Sequence, residues 1–336
     1  MQPIGGEGLA HPLESRRIAP MLMPTTDLLL FGFVSTWLKP LWLVIVGVAV
    51  AAAALAAIGV LLRWVVPKVA AIGWTTAKEA LSQPLFYVLL TIGVFGLILF
   101  PFVPYNTLGE DIKMVKDEGL TLIMVLSIIL ALWTASVSIA DEIEGRTALT
   151  LLSKPVSRRQ FILGKFLGIL VPVAIMFLVL GALFLASVSY KVVYDARETA
   201  QADPTWQECR GEMIRIAPGL ALSFMETVVL TSISVAISTR LPMLANLIIC
   251  AAIYVLGHLV PILANSAVGQ IEYVSFVANL LAAILPVLDH FNISAGISTG
   301  QQVPGEYLAW AALYCLVYSS VAMLLALLLF EDRDLA

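Results

Sequence analysis

The chain has 336 residues, of which 60% are hydrophobic and only 12% charged, with a mean hydropathy of +0.96. A soluble domain is near half apolar and a quarter charged, so these values exclude an ordinary soluble domain and place the chain in a membrane. The net charge of −4 excludes the basic surface that a nucleic-acid partner needs, and Cys209, Cys250 and Cys315 are too few and too scattered for a disulfide framework or a zinc site.

The apolar residues are gathered into uninterrupted runs of membrane-spanning length. Residues 1–40 form an N-terminal segment, partly disordered and partly interfacial. It ends in DLLLFGFVSTWLK, which is short and carries Trp37 and Lys39 as interface anchors. Residues 41–62 (LWLVIVGVAVAAAALAAIGVLL) are a first span, and 41–70 form this extra span with its linker. Ile72 to Gln83 reads as an amphipathic helix, stopped by Pro84. The core, 71–336, then contains six spans, near 85–104, 120–140, 166–189, 216–238, 243–264 and 307–330. Between the last two lies YVSFVANLLAAILPVL (273–288). It is short for a crossing and interrupted by Pro286, which suits a re-entrant or interfacial segment. The predicted fold class is an all-α polytopic membrane protein.

Lysine and arginine set the orientation. With the Ile72–Gln83 helix in the cytoplasm, the inside holds Arg63, Lys68, Lys78, Arg146, Lys154, Arg158, Arg159, Lys165, Arg240 and Arg333. The outside segments of the core hold Lys113, Lys116, Lys191, Arg197, Arg210 and Arg215, and residues 265–306 carry no lysine or arginine. This bias follows the positive-inside rule and puts the C-terminus in the cytoplasm. Residues 190–215 read as the largest outside loop, with an acidic cast.

The charges concentrate in DEIEGRTALTLLSKPVSRRQFILGK, residues 141–165. Gly145 ends the helix leaving the membrane. Thr147 to Ser153 can form short turns with Ala148, Leu151 and Leu152 on one side, and Lys154-Pro155 stops them. Ser157 and Gln160 have capping-box spacing, so a new helix begins at Arg158 and Arg159, with Lys165 near the membrane edge, free to snorkel outward. On charge alone this is an ordinary positive-inside loop. Its punctuation of helix, break, short helix, break and helix suits a lateral handle for another protein.

The order of that segment resembles a family. E-I-E-G-x-T-x-x-x-L-L-S-x-P-V-S-R-x-x-F-x-x-G-K, from Glu142 to Lys165, is similar to the first cytoplasmic loop of type-2 ATP-binding-cassette (ABC) transporter permeases. KEALSQPLFYVLL (78–90) is similar to the family's amphipathic elbow helix. ILPVLDHFNIS (284–294) and FEDRDL (330–335) resemble the segments before and after its last span. The departures are the extra span at 41–62 and Arg146 between Gly145 and Thr147.

The resemblance implies a six-helix permease core with elbow and coupling helices in a cytoplasmic (inner) membrane. It also implies a homodimer or a pairing with a similar permease, driven by a separate ABC ATPase that binds ATP and magnesium. The coupling loop would be formed by Glu142, Glu144, Gly145, Arg146, Thr147, Leu151, Leu152, Pro155, Arg158, Arg159 and Lys165. No G-x-x-x-x-G-K-[ST] phosphate loop occurs in this sequence, so no cofactor and no ATPase motif is expected here.

Two polar residues interrupt the spans, Glu226 in APGLALSFMETVVLTSISVAIS and His258 in YVLGHLVPIL. A carboxylate at a helix centre costs about 2.5–3.5 kcal/mol on insertion scales, so Glu226 either lines a substrate path or senses protons, or else is protonated or hydrogen-bonded to a neighbouring span such as that of His258. No catalytic or metal set stands out beside them. The rival readings are a secondary transporter or membrane enzyme, and a membrane anchor for an ABC-driven maturation or motility machine.

Overall fold

In a computed structural model, the structure describes residues 36–105, 111–140, 157–200, 202–264, 272–293, 296 and 300–331. The fold is helical, with no strand among the described residues. The helices are α1 (Leu41–Val65), α2 (Pro67–Ser82), α3 (Pro84–Leu99), α4 (Asp111–Ala135), α5 (Arg158–Glu198), α6 (Trp206–Ser238), α7 (Met243–Ala264), α8 (Glu272–Ile284) and α9 (Gly305–Glu331). Among the described residues, seven helices are long and apolar enough to cross a membrane. They are α1, α3, α4, α5, α6, α7 and α9. Helix α8 has 13 residues, too short to cross, and it ends just before Pro286.

Helices α4 and α6 are the centre of the bundle. Of their most apolar windows, 72% and 67% are buried, against none of α1. They run parallel and in register. Lys116 pairs with Glu212, the space beside Gly219 is filled by Leu120, and Asn246 bridges Ser136 to Ser234. Small and hydroxyl-bearing residues on α6, among them Ser223, Thr227, Thr231, Ser234 and Ser238, are all buried, and such residues let membrane helices approach closely. Helix α5 runs antiparallel beside them, with Phe177 edge-on to Phe224 and Gly181 against Leu220.

Helix α2 packs on α5 through glycines. Gly73 faces Gly164 and Gly168, which are four residues apart on α5. A Cβ on Gly168 would lie 2.6 Å from the carbonyl oxygen of Gly73. The two backbones are therefore in contact, the geometry that a small-x-x-x-small pair permits.

Two sequence readings need correction. Residues 190–215 are not a long loop. Helix α5 continues to Glu198 and α6 begins at Trp206, because Lys191, itself 1% exposed, holds Asp195 one turn on at 2.9 Å and Arg197 stands in the last turn. A helix of 41 residues is about 60 Å long and so extends well beyond a hydrocarbon core of about 30 Å. Lys165 does not snorkel outward. It is 4% exposed, with its ammonium 5.7 Å from the ring centre of Phe161, because the Gly164–Gly168 face draws α2 over that part of α5.

Candidate functional site

The expected coupling residues Glu142, Glu144, Gly145, Arg146, Thr147, Leu151, Leu152 and Pro155 lie outside the described residues, as do the Gly145 and Lys154-Pro155 breaks. Both attachment points of that segment are described. On the upstream side, α4 passes into a π-helical turn, Ser136–Ala140. Such turns are rare and concentrate at functional sites. On the downstream side, Ser157 begins α5 with a full capping box. Its hydroxyl accepts from the Gln160 amide at 3.3 Å, and its own amide donates to Gln160 Oε1 at 3.2 Å.

Arg158 then reaches across to the end of α9. Its Nη1 donates to the carbonyl oxygens of Glu331 at 2.8 Å and Phe330 at 3.3 Å, and its guanidinium lies over the Phe330 ring. The last carbonyls of a helix lack intrahelical partners and carry the negative end of its dipole, so a cation is well placed there. Phe161 stacks on Phe330 beneath this contact, at 5.8 Å, with both rings buried. Arg159, beside it, is exposed.

Inside the bundle, Glu226 of α6 is 2% exposed, and its Oε1 lies 3.4 Å from His258 Nε2 of α7. That distance joins the two residues, but the geometry leaves Oε1 without a hydrogen bond. His258 Nδ1 faces the Tyr254 carbonyl at 3.1 Å. A carbonyl only accepts, so Nδ1 carries a proton. Ser127 Oγ is also buried without a partner, and the α4–α6 register sets Ser127 at the depth of Glu226. The structure thus joins the two intramembrane residues singled out in the sequence.

A second polar node has no counterpart in the sequence reading. Asn246 of α7 is fully buried and uses its whole amide. Nδ2 donates to Ser136 Oγ and Ser234 Oγ, each at 2.8 Å, and Oδ1 accepts from Cys250 Sγ at 3.3 Å. The only signal was a single amide in the run MLANLIIC. The node ties α6 and α7 to the π turn that leads into the 141–156 segment. No group of three or more His, Cys, Asp and Glu among the described residues could hold a metal ion.

Residues 112–335 match the family model of ABC-2 family transporter proteins. The chain belongs to the ABC-2 transporter family. No individually curated protein matches it. The matched stretch begins within α4 and takes in every later element, so α1, α2 and α3 precede it.

The protein is therefore a multi-pass membrane permease of the ABC type. Membrane subunits of this family are not themselves ATPases, and the family implies an ABC ATPase as partner. In this ABC-2 permease, the segment between the π turn and Ser157 is tied at its two ends to helices that contact most of the bundle.

Proposed function

We propose that this ABC-2 permease is an exporter subunit of a cytoplasmic membrane, paired with a second copy or a similar permease. A separate ATPase that binds ATP and magnesium would drive it. Residues 141–165 are its docking handle. One observation carries this reading: the downstream end of the handle is fixed to α9 through Arg158 while its upstream end leaves the π turn that Asn246 ties to α6 and α7. A push on the handle reaches α4, α5 and α9 directly and α6 and α7 through the amide node. Membership of the family favours this over a secondary transporter or a membrane enzyme. An ABC-driven maturation or motility machine would use the same handle with force as its output.

The test is co-purification of the cognate ATPase with variants at matched membrane expression. Central apolar residues carry most interface energy and rim charges little, so Leu151→Asp costs several kcal/mol at the contact and abolishes co-purification. Arg159→Ala, at an exposed rim position, costs less than about 1 kcal/mol and retains the partner. Full retention by Leu151→Asp would reduce the handle to a positive-inside loop.

A further inference from the structure

Helix α1 does not close against the core. Its N-terminal end is fastened to α5, where Ser189 donates to the Trp37 carbonyl at 2.9 Å and Trp37 packs edge-on to Tyr190. Beyond that point α1 stands away from α5 and α6 and leaves a cleft of about 590 Å³. Every lining residue is apolar, including Gly47 and Ala51 of α1, Phe177 and Gly181 of α5, and Ala217 and Phe224 of α6. The α1 wall runs from Leu43 to Ile58, a length of about 22 Å at 1.5 Å per residue.

Three features choose the occupant. The cleft lies wholly between membrane-spanning helices, where the surrounding medium is hydrocarbon. The second is length: an extended acyl chain of 16 to 18 carbons, at roughly 1.25 Å per carbon, spans about 20–22 Å, which matches the α1 wall. The third feature is charge. Ile214, Ala217, Ala221 and Phe224 line the cleft as one stripe of α6, and Arg210 is the next residue of that stripe beyond the apolar wall. Arg210 is exposed, with its guanidinium over Trp206, an aromatic residue of the kind that marks the headgroup level.

We propose that the cleft between α1, α5 and α6 is a lipid site that takes an acyl chain of an anionic phospholipid, with its phosphate at Arg210. The site is independent of the handle and of the ATPase. Helix α1 forms one wall and the core the other, so the lipid joins the extra span to the permease core.

The experiment uses the full-length permease in mild detergent, exchanged against vesicles of equal parts dioleoyl phosphatidylglycerol and dioleoyl phosphatidylcholine. Lipid retained per protomer is then read by intact-complex mass spectrometry. The wild type is expected to retain lipid with phosphatidylglycerol in excess. Gly47→Phe fills the cleft and lowers retention at least fivefold. Gly59→Phe adds the same bulk at a position with nothing within 4 Å and outside the lining, and leaves retention unchanged. Arg210→Gln keeps the acyl chain but reduces the phosphatidylglycerol preference severalfold. Should Gly47→Phe not fold, Ala51→Leu narrows the same cleft with less bulk. Wild-type retention in the filled-cleft variant would overturn the site, as would loss of a second copy of the chain in place of lipid. An unchanged headgroup preference in Arg210→Gln would overturn the role of Arg210.

Discussion

Arg158, the first residue of α5, donates a hydrogen bond to the carbonyl oxygen of Glu331, the last residue of α9, across 172 intervening residues of chain. The start of one span is thereby clamped to the end of another at the face that bears the 141–156 segment. Removing the clamp as Arg158→Ala leaves the α9 carbonyls to water, at a cost of about 1 kcal/mol. The expected outcome is roughly fivefold faster hydrogen exchange at the amides of the last α9 turn, with partial recovery in Arg158→Lys.

The α2–α5 contact predicts an unusual sensitivity to a single methyl group. Gly168→Ala drives its Cβ against the Gly73 backbone at 2.6 Å, where no flexible side chain can yield. It should destabilise the protein by about 1–3 kcal/mol, as overpacking does. Gly59→Ala, in open space within α1, should be neutral or stabilising by roughly 0.5–1 kcal/mol. Thermal unfolding of the purified variants in one detergent compares the two.

Asn246 predicts a defect of packing without a defect of insertion. Asn246→Leu removes both amide bonds to Ser136 and Ser234 and the acceptor of Cys250. Interhelical hydrogen bonds in membranes contribute about 0.6–2 kcal/mol, so the variant should insert normally but unfold at lower denaturant concentration. A wild-type unfolding midpoint would remove the node from the stabilising contacts.

Glu226→Gln keeps hydrogen-bonding capacity at the buried site while removing the acid. The permease should insert and assemble with its ATPase at wild-type yield. Substrate-stimulated ATP hydrolysis by the complex should fall severalfold if the Glu226–His258 pair works on the transport path. Full stimulated activity would make the pair purely structural.

Topology can be read at the turn between α5 and α6. Native Cys209 sits at the start of α6 but is fully buried, so it should resist thiol reagents from either side. Asp203 is exposed in that turn. In a chain whose native cysteines are replaced by serine, Asp203→Cys should react with a membrane-impermeant maleimide on intact cells. Reaction only after lysis would invert the orientation and move the handle out of the cytoplasm.

Much of this architecture was legible in the residues themselves. An apolar run of 20 or more residues has one low-energy home, and the backbone in hydrocarbon must close its own hydrogen bonds, so span number and helical class follow from local sequence. The Ser157–Gln160 cap and the stop before Pro84 are equally local, set by side chains within four residues. What only the tertiary structure decided are meetings between distant parts of the chain. In the sequence, Arg158 was a positive-inside charge; its contact with Glu331 required α9 to return to the start of α5. Gly73, Gly164 and Gly168 carry no signal of partnership until two helices cross with their backbones touching. Asn246 was one amide in an apolar run until three helices converged on it. The cleft under α1 is likewise invisible to periodicity, because hydropathy records what a side chain prefers and not what stands opposite it. Local solvation determines which segments cross a membrane; only packing determines which polar and small residues face one another once they do.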